Sequence, residues 1–232
     1  MSIQITWLGH SCWLIEFNEY RILIDPFLDQ NPSAKCKSTD IDATHILVSH
    51  GHFDHVADAA EIANRCQAEM ISNYEVATWF HEKHHVQRVL GMNLGGTAKL
   101  PFGSVKQTLA WHSSVLPDGT YGGNPSGFLI KFNQSLNIYF AGDTALFSDM
   151  GMLARDKVDL AILPIGDLFT MGPEDSAEAT ALIQPRYVLP THYNTWPPIA
   201  QDPVAWSDLI GKRTTAIALV PQVGEKLLFP RP

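Results

Sequence analysis

The order of predicted strands and helices constrains the fold of this chain more than any other feature of its sequence. The first half opens with alternating apolar residues at Ile3, Ile5 and Trp7, which predict a β-meander that continues through 12–17 and 21–25. Strand–helix alternation follows, with a strand at 44–50, a helix at 54–66, a strand at 69–72 and a helix at 74–84. This succession is typical of an α/β fold.

The second half of the chain repeats the same plan. Four predicted strands come first, at 97–101, 104–111, 127–132 and 137–141. Alternating elements follow, with helices near 145–155, 174–183 and 203–210 and strands at 159–165, 186–192, 215–220 and 225–229. We therefore expect two mixed β-sheets packed together, with helices on their outer faces, in a single domain of residues 1–232.

Composition favours a large buried core and disfavours polyanionic partners. Hydrophobic residues make up 45% of the 232 residues and charged residues 17%, whereas about 25% charged residues is typical of soluble domains. The net charge of −8 opposes binding to long nucleic acids and to anionic membrane surfaces. Membrane insertion is not expected, because the sequence has no uncharged apolar run of about 18 residues.

The cysteines and the N-terminal segment indicate a cellular compartment. Cys12, Cys36 and Cys66 are widely spaced, so they predict neither a disulfide framework nor a cysteine zinc site. The first residues lack the basic, apolar and small-residue regions of an export signal. Both features favour a cytoplasmic protein.

A cluster of metal-ligand side chains lies in the segment His50-Gly51-His52-Phe53-Asp54-His55. It follows a predicted buried strand and precedes a predicted helix, and the carboxyl ends of strands are where α/β folds build their sites. In an extended segment His50 and His52 project to the same side, so both can reach one ion about 2.0–2.1 Å away. The turn into the helix directs Asp54 and His55 elsewhere, which leaves room for a second ion. The alternative is a solvated loop in which Asp54 caps the helix.

Three further ligand-type residues come at the ends of apolar runs: His112, Asp143 and His192. Side chains at these positions project toward a common sheet edge rather than into the core. Each alone is compatible with a hydrogen-bonded polar residue at a strand end. Together with the histidine cluster they form a candidate ligand set.

This set resembles the metallo-β-lactamase fold superfamily, whose HxHxDH motif corresponds here to residues 50–55. The resemblance implies an αββα four-layer sandwich in which two mixed β-sheets are flanked by helices. It also implies two metal ions and divides the ligands between them: His50, His52 and His112 hold one ion, Asp54, His55 and His192 hold the other, and Asp143 bridges them.

Other short segments resemble one branch of that superfamily. Residues 7–11, 22–26, 141–144 and 169–173 are similar to compact bacterial metal-dependent hydrolases that include ascorbate 6-phosphate lactonases and phospholipase D-like relatives. The function that this implies is hydrolysis of a small ester, lactone or phosphoester by a metal-bound hydroxide. Zinc is the first expectation for the two ions, and manganese, iron, cobalt and nickel suit the same ligands.

The candidate catalytic residues are Asp54, His10 and Asp143. By resemblance, Asp143 sets the metal spacing and Asp54 orients the attacking hydroxide. His10 follows a glycine at a predicted turn, where it either contacts substrate or protonates a leaving group, or is a structural histidine hydrogen-bonded within the turn. Asp25 is interpreted as a turn residue or a partner of a ligand rather than a ligand itself.

Two segments near the predicted ligands each have two interpretations. The glycine- and proline-rich segment 113–126 forms either a pocket wall or lid, or only a hairpin connection. Trp196 either lines the pocket or packs structurally against its neighbouring prolines.

The same residues are compatible with other functions. A phosphodiesterase or nuclease can use the same metal core, although the negative charge disfavours long nucleic acids. A diiron redox protein on this fold favours a carboxylate where this chain has His52, and a non-catalytic metal-binding module does not require a complete ligand set. The expected partner is a small-molecule substrate, and a homo-oligomer is an open alternative.

Overall fold

The computed structural model describes residues 2–133 and 136–230 and contains two seven-stranded β-sheets. The strands are β1 (Ile3–Gly9), β2 (Cys12–Phe17), β3 (Tyr20–Ile24), β4 (His45–Leu47), β5 (Glu69–Asn73), β6 (Val89–Met92), β7 (Thr97–Leu100), β8 (Gly103–Leu109), β9 (Ser126–Phe132), β10 (Leu136–Phe140), β11 (Leu160–Pro164), β12 (Tyr187–Thr191), β13 (Ile217–Ala218) and β14 (Lys226–Phe229). The α-helices are α1 (Phe53–Val56), α2 (Ala59–Cys66), α3 (Tyr74–His84), α4 (Pro173–Ile183) and α5 (Pro203–Arg213). Short 3₁₀ helices span Ser38–Asp40, Ser148–Asp156 and Pro197–Ile199.

Both sheets are mixed, and they share one design. The first has the strand order β14-β1-β2-β3-β4-β5-β6 and the second the order β13-β12-β11-β10-β9-β8-β7. Meander strands pair antiparallel, as β1 does with β2 and β8 with β9. Strands that alternate with helices pair parallel, as β3 does with β4 and β11 with β12. The two-half plan predicted from the sequence is therefore confirmed.

The main hydrophobic core lies between the two sheets. Ile5 and Trp13 of the first sheet belong to the same buried cluster as Phe140 and Leu189 of the second. A second cluster joins the outer face of the first sheet to α2 and α3, whereas α4 and α5 contact the second sheet. The resulting layer order is the predicted αββα sandwich. Among the described residues, no helix is long and apolar enough to cross a bilayer.

Two predicted helices are wrong in detail. The helix expected over 54–66 is divided into α1 and α2, because Asp58 leaves helical geometry and its carboxylate accepts hydrogen bonds from the backbone N–H groups of Leu28 and Asp29 at 2.6 and 3.2 Å. The helix expected near 145–155 is a 3₁₀ helix over 148–156, a segment that contains the weak helix formers Asp149 and Gly151.

Several strands also differ from the prediction. β4 covers only 45–47 of the predicted 44–50, and β13 covers only 217–218 of 215–220. β8 ends at Leu109, so His112 lies in the loop beyond it rather than at the strand end. The edge strand β6 was not predicted; it is short and only partly buried, which weakens the apolar signal on which strand prediction depends.

The fold brings the carboxyl ends of β3, β4, β10 and β12 to one edge of the sandwich. Two backbone hydrogen bonds join the sheets there: Ser126 donates to the carbonyl of Ser49 at 3.0 Å, and His192 donates to the carbonyl of His10 at 3.1 Å. These hydrogen bonds hold together the loops that carry the candidate ligands, and they do not depend on a bound ion.

Candidate metal centre

All seven residues predicted as ligands lie together at this edge. Their potential ligand atoms form three overlapping groups, and within each group the atoms lie no more than 4.8 Å apart: first, His50, His52 and His112; second, Asp54, His55 and His192 with His10; and third, His50, His55 and Asp143. His10 is the one member that was not predicted as a ligand.

The first group contains three imidazoles at the mouth of the site. The Nε2 atom of His50 lies 3.0 Å from Nδ1 of His52, so both face the same point, as an extended segment requires. The ring of His112 approaches both of them, with centroids 5.1 Å away. These three side chains come from two loops, those after β4 and β8.

The second group surrounds Asp54 at the beginning of α1. The Oδ2 atom of Asp54 lies 3.8 Å from Nε2 of His55 and 3.8 Å from Nε2 of His192. The short helix α1 turns the chain just after His52, so Asp54 faces His10 and His192. The ring of His55 stays close to that of His50, with centroids 4.2 Å apart. The separation that the sequence predicted from the approach of a helix is therefore seen for Asp54 and not for His55.

Asp143 lies between the two groups. Its Oδ2 atom is 3.0 Å from Nε2 of His192, 3.3 Å from Nε2 of His55 and 3.6 Å from Nε2 of His112. One carboxylate oxygen therefore faces members of both groups, which is the position that a bridging ligand needs.

The donor atoms fit divalent cations. In a tetrahedral site with bonds of about 2.1 Å, ligand atoms are roughly 3.4 Å apart, which matches the separations around Asp143. Among the described residues, Nε2 of His55 and Oδ1 of Asp143 are buried without a hydrogen-bond partner. Buried polar atoms without partners are costly, and a bound cation would satisfy both.

Burial and charge set the protonation of these groups. Burial lowers the pKa of His50, His52 and His112, so these rings favour the neutral form that binds metals. Burial also lowers the pKa of His55, but Asp143 and neighbouring carboxylates outweigh it and raise that pKa well above its ordinary value.

The pKa of Asp143 is in turn shifted downward. Burial alone would raise it, but the facing imidazoles of His192 and His55 outweigh burial and hold it well below its ordinary value. The Asp143 carboxylate is therefore ionised, as a ligand carboxylate must be.

Asp25 supports two of the candidate ligands from behind. Its Oδ2 atom lies 2.8 Å from Nδ1 of His55 and accepts a hydrogen bond from the Ser49 hydroxyl at 2.6 Å. That hydroxyl is also 2.9 Å from Nδ1 of His50. A carboxylate behind a ligating histidine fixes the ring and raises its basicity. Asp25 thus has the partner position that the sequence favoured over a ligand role.

His10 is buried with no exposed surface, and both of its ring nitrogens have partners. Nε2 lies 2.9 Å from Oδ2 of Asp54, and Nδ1 lies 2.8 Å from the hydroxyl of Thr195. Burial lowers the pKa of His10 to about 4, so the ring is neutral at pH 7. Because a carboxylate can only accept, the hydrogen is assigned to Nε2, and Nδ1 accepts from Thr195.

Sequence reasoning missed Thr195 and assigned no role to Ser49. No motif marks either residue, since each acts only through a histidine that the fold brings near. The backbone of the site is also unusual. His10, Asp25 and His192 have positive φ values of 53°, 45° and 54°. This left-handed conformation costs a non-glycine residue on the order of 1–2 kcal/mol, and such strain is concentrated at functional sites.

The segment 113–126 forms a hairpin-like loop that packs on the ligand segment. Val115 and Tyr121 form an isolated antiparallel bridge. The hydroxyl of Ser114 accepts a hydrogen bond from the backbone N–H of Gly51 at 3.0 Å, and a side chain at Gly51 would meet Leu116. The loop is therefore both a hairpin connection and a wall next to the candidate ligands.

Trp196 also lies beside the site. It is half-buried, and its ring centroid is 4.9 Å from that of His10 and 5.9 Å from that of Phe27. The ring of Trp196 thus packs against His10, whose ring is hydrogen-bonded to the candidate ligand Asp54.

Comparison with known proteins gives the relationships of the chain. The family model of the beta-lactamase superfamily domain matches residues 4–192. A metal-dependent hydrolase of Thermococcus kodakarensis is 43% identical over 228 residues, which cover 97% of this chain and 99% of that protein. A metal-dependent hydrolase of Thermus thermophilus is 47% identical over 205 residues, covering 88% and 90%. The structure of Igni18, a metallo hydrolase from Ignicoccus hospitalis, has a TM-score of 0.89 and 33% identity, and the match covers 100% of both chains.

These matches extend over most or all of the chain. The family match includes every residue predicted as a ligand, from His50 to His192. The curated relatives have nearly the same length as this chain, and the structural match covers its whole length. The resemblance inferred from the HxHxDH motif is confirmed, and the chain belongs to the metallo-β-lactamase superfamily of metal-dependent hydrolases.

Proposed function

We propose that this protein is a hydrolase with a dinuclear metal centre that acts on a small ester, lactone or phosphoester. His50, His52 and His112 hold one ion, and Asp54, His55 and His192 hold the other. Asp143 bridges the two. Zinc is the first candidate for both ions, since histidine and carboxylate ligands in near-tetrahedral spacing suit it.

The observation that carries this proposal is the position of Asp143. One of its oxygens is within 3.6 Å of imidazole nitrogens from both groups, and the other oxygen is buried with no hydrogen-bond partner in the described part of the chain. A mononuclear site would need neither seven donors nor a carboxylate shared between two sets.

The residues of the chain have distinct tasks in the reaction. Bound ions would polarise the scissile carbonyl or phosphoryl group and lower the pKa of a shared water. Asp54 orients the attacking water, and His10 holds Asp54 by donating to its Oδ2 atom. His10 is a positioning residue in this scheme, because its ring is fully buried and its hydrogen bonds are made inside the protein.

The proposed partner is a small molecule from the reducing cytoplasm. The net charge of −8 disfavours long polyanions such as RNA or DNA. It does not disfavour a small phosphoester, because a metal centre supplies local positive charge.

Metal removal and reconstitution test the function. Protein stripped with a chelator is reloaded with zinc, manganese, iron(II), cobalt or nickel, and elemental analysis counts the ions per chain. Lactones, carboxylic esters, phosphodiesters and phosphosugars are then screened. We expect up to two ions per chain and hydrolysis that requires them.

A pair of histidine variants provides the control. His50→Ala removes a candidate ligand and should lose both metal and activity, whereas His85→Asn changes an exposed histidine outside the centre and should retain both. Active protein with only trace metal, or equal metal content in the two variants, would refute the proposal.

A further inference from the structure

A groove begins at the candidate metal centre and leads away from it. Its first part is a cavity of about 380 Å³ whose lining includes His112, Trp111, Leu109, Leu94 and Pro125. His112 is a candidate ligand, so a molecule in this cavity is next to the centre. The other four of these side chains are apolar.

The groove continues under the 3₁₀ helix of residues 148–156. Leu94 and Leu109 also line a second cavity of about 340 Å³, so the two cavities meet at these leucines. The second cavity lies between the outer face of the second sheet and the 3₁₀ helix, and its lining includes Leu129, Phe147 and Met150.

Trp111 forms a fixed aromatic wall at the beginning of the groove. Its backbone N–H donates to the hydroxyl of Thr144 at 2.9 Å, and its carbonyl accepts from Ala145 at 3.0 Å. Its ring stacks on Phe147 with centroids 6.5 Å apart and an interplanar angle of 16°. The side chain is nevertheless 61% exposed, so one face remains available to a ligand.

Two buried hydroxyl groups lie together at the far cavity. The Tyr139 hydroxyl and Oγ1 of Thr108 interact with each other, no other partner of either is seen among the described residues, and both residues line the cavity. Each hydroxyl can both donate and accept, so a ligand oxygen that reached them would add a hydrogen bond to this pair. Met150 and Met152 also line this cavity, and their flexible side chains let the wall adjust around an entering group.

The charges around the far cavity are balanced. Lys106 and Arg155 line it together with Asp149 and Asp156. A neutral group is therefore better suited to the far end than an ion.

We propose, building on the proposed hydrolase function, that this groove binds an extended apolar arm of the substrate. The arm runs from the scissile bond near His112 past Trp111 and Leu109, and it carries a neutral oxygen toward Tyr139 and Thr108. His112 comes four positions after Thr108 in the chain, so the arm spans at most about 14 Å. The substrate class is accordingly an ester or lactone of a medium-chain acid rather than a fully polar phosphosugar.

Binding can be measured without hydrolysis. The neutral dye N-phenyl-1-naphthylamine is titrated into the purified protein, its fluorescence is followed, and 1-octanol or 1-butanol is used to displace it. We expect octanol to displace the dye at concentrations at least tenfold lower than butanol. Thr108→Val should weaken displacement by octanol relative to displacement by butanol.

Plug variants identify the groove as the binding site. Leu109→Trp and, independently, Leu94→Trp place an indole where the two cavities meet and should weaken dye binding at least tenfold. The matched control is Leu228→Trp, an exposed leucine on β14, and it should stay within twofold of the wild type. Unchanged binding in both plug variants, with folding verified by circular dichroism, would overturn the proposal.

An acyl series connects the groove to turnover. For p-nitrophenyl esters with two to ten acyl carbons, kcat/KM should rise at least tenfold from the acetate to the octanoate, and Leu109→Trp should abolish that rise. If no ester is cleaved although octanol binding still depends on Leu109 and Leu94, ester chemistry at the centre fails and the groove stands. If esters are cleaved with no dependence on length, the groove proposal fails and the hydrolase function stands.

Discussion

Asp25 and His55 form a fully buried pair in which the carboxylate Oδ2 lies 2.8 Å from the ring Nδ1. The pair directs the opposite nitrogen of His55, Nε2, toward Asp143 and the centre. Burial raises the pKa of Asp25, and its contacts with His55 and Ser49 oppose that rise. Asp25 thus has a left-handed backbone conformation, with a φ of 45°, and a buried carboxylate that contacts a candidate ligand.

Asp25→Asn should weaken metal binding by about 10–100-fold, because an amide fixes the His55 ring without raising its basicity. Competition with a chromogenic chelator measures the dissociation constant, and circular dichroism verifies folding. Asp58→Asn is the matched control, since Asp58 is a buried acid that, within residues 2–133 and 136–230, accepts hydrogen bonds only from the backbone N–H groups of Leu28 and Asp29. Equal affinities for the two variants would contradict the role given to Asp25.

His10→Ala should retain its metal ions and lose at least tenfold in kcat with little change in KM, because the Asp54 carboxylate loses the donor that orients it. His10→Gln retains an N–H donor and should recover part of the loss. Steady-state kinetics together with elemental analysis separates these effects. A loss of metal that parallels the loss of activity would instead make His10 a ligand.

Asp143→Ala removes the carboxylate that faces both groups of donors, so the repulsion between two dications is less compensated. We expect the variant to bind close to one ion per chain and to lose most hydrolysis. The three-histidine group should retain its ion, because three neutral nitrogens suffice for a catalytic type of zinc site. Two fully occupied sites in this variant, with activity near the wild type, would show that Asp143 does not bridge.

His45 should make the fold sensitive to acid independently of the metal centre. Burial lowers its pKa from the ordinary 6.5, and the nearby Glu69 only partly opposes this. The unfolded chain then binds a proton more readily than the folded protein, so the contribution of His45 to stability is present above pH 6.5 and falls as the pH drops below it.

The matched variant for this effect is His45→Gln, which cannot be protonated. The free energy of unfolding of wild type minus variant, measured by urea denaturation in chelator, should decrease between pH 8 and pH 5. A difference that is constant or that grows toward pH 5 would contradict the lowered pKa.

The sequence by itself determined the fold class and the set of residues that meet at the centre. Strand and helix periodicity depends on local burial, so the meanders and the alternating elements could be predicted. Metal ligands come from few residue types, and at this site they follow apolar runs. The seven candidate ligands could therefore be recognised in the sequence alone: His50, His52, Asp54, His55, His112, Asp143 and His192. The break between α1 and α2 could not be predicted, because it depends on hydrogen bonds that the Asp58 carboxylate accepts from a segment about thirty residues earlier.

Only the tertiary structure decided how these residues are supported and what lies beside them. The contact between His10 and Thr195 joins residues 185 positions apart, and the pair of Asp25 and His55 joins the loop after β3 to α1. The groove from His112 to Tyr139 combines residues of the strands β8, β9 and β10 with the 3₁₀ helix of residues 148–156. Such contacts depend on how the two sheets and their loops pack at one edge of the sandwich. No local sequence pattern encodes them, because side chains far apart in sequence become neighbours only when the whole core is buried.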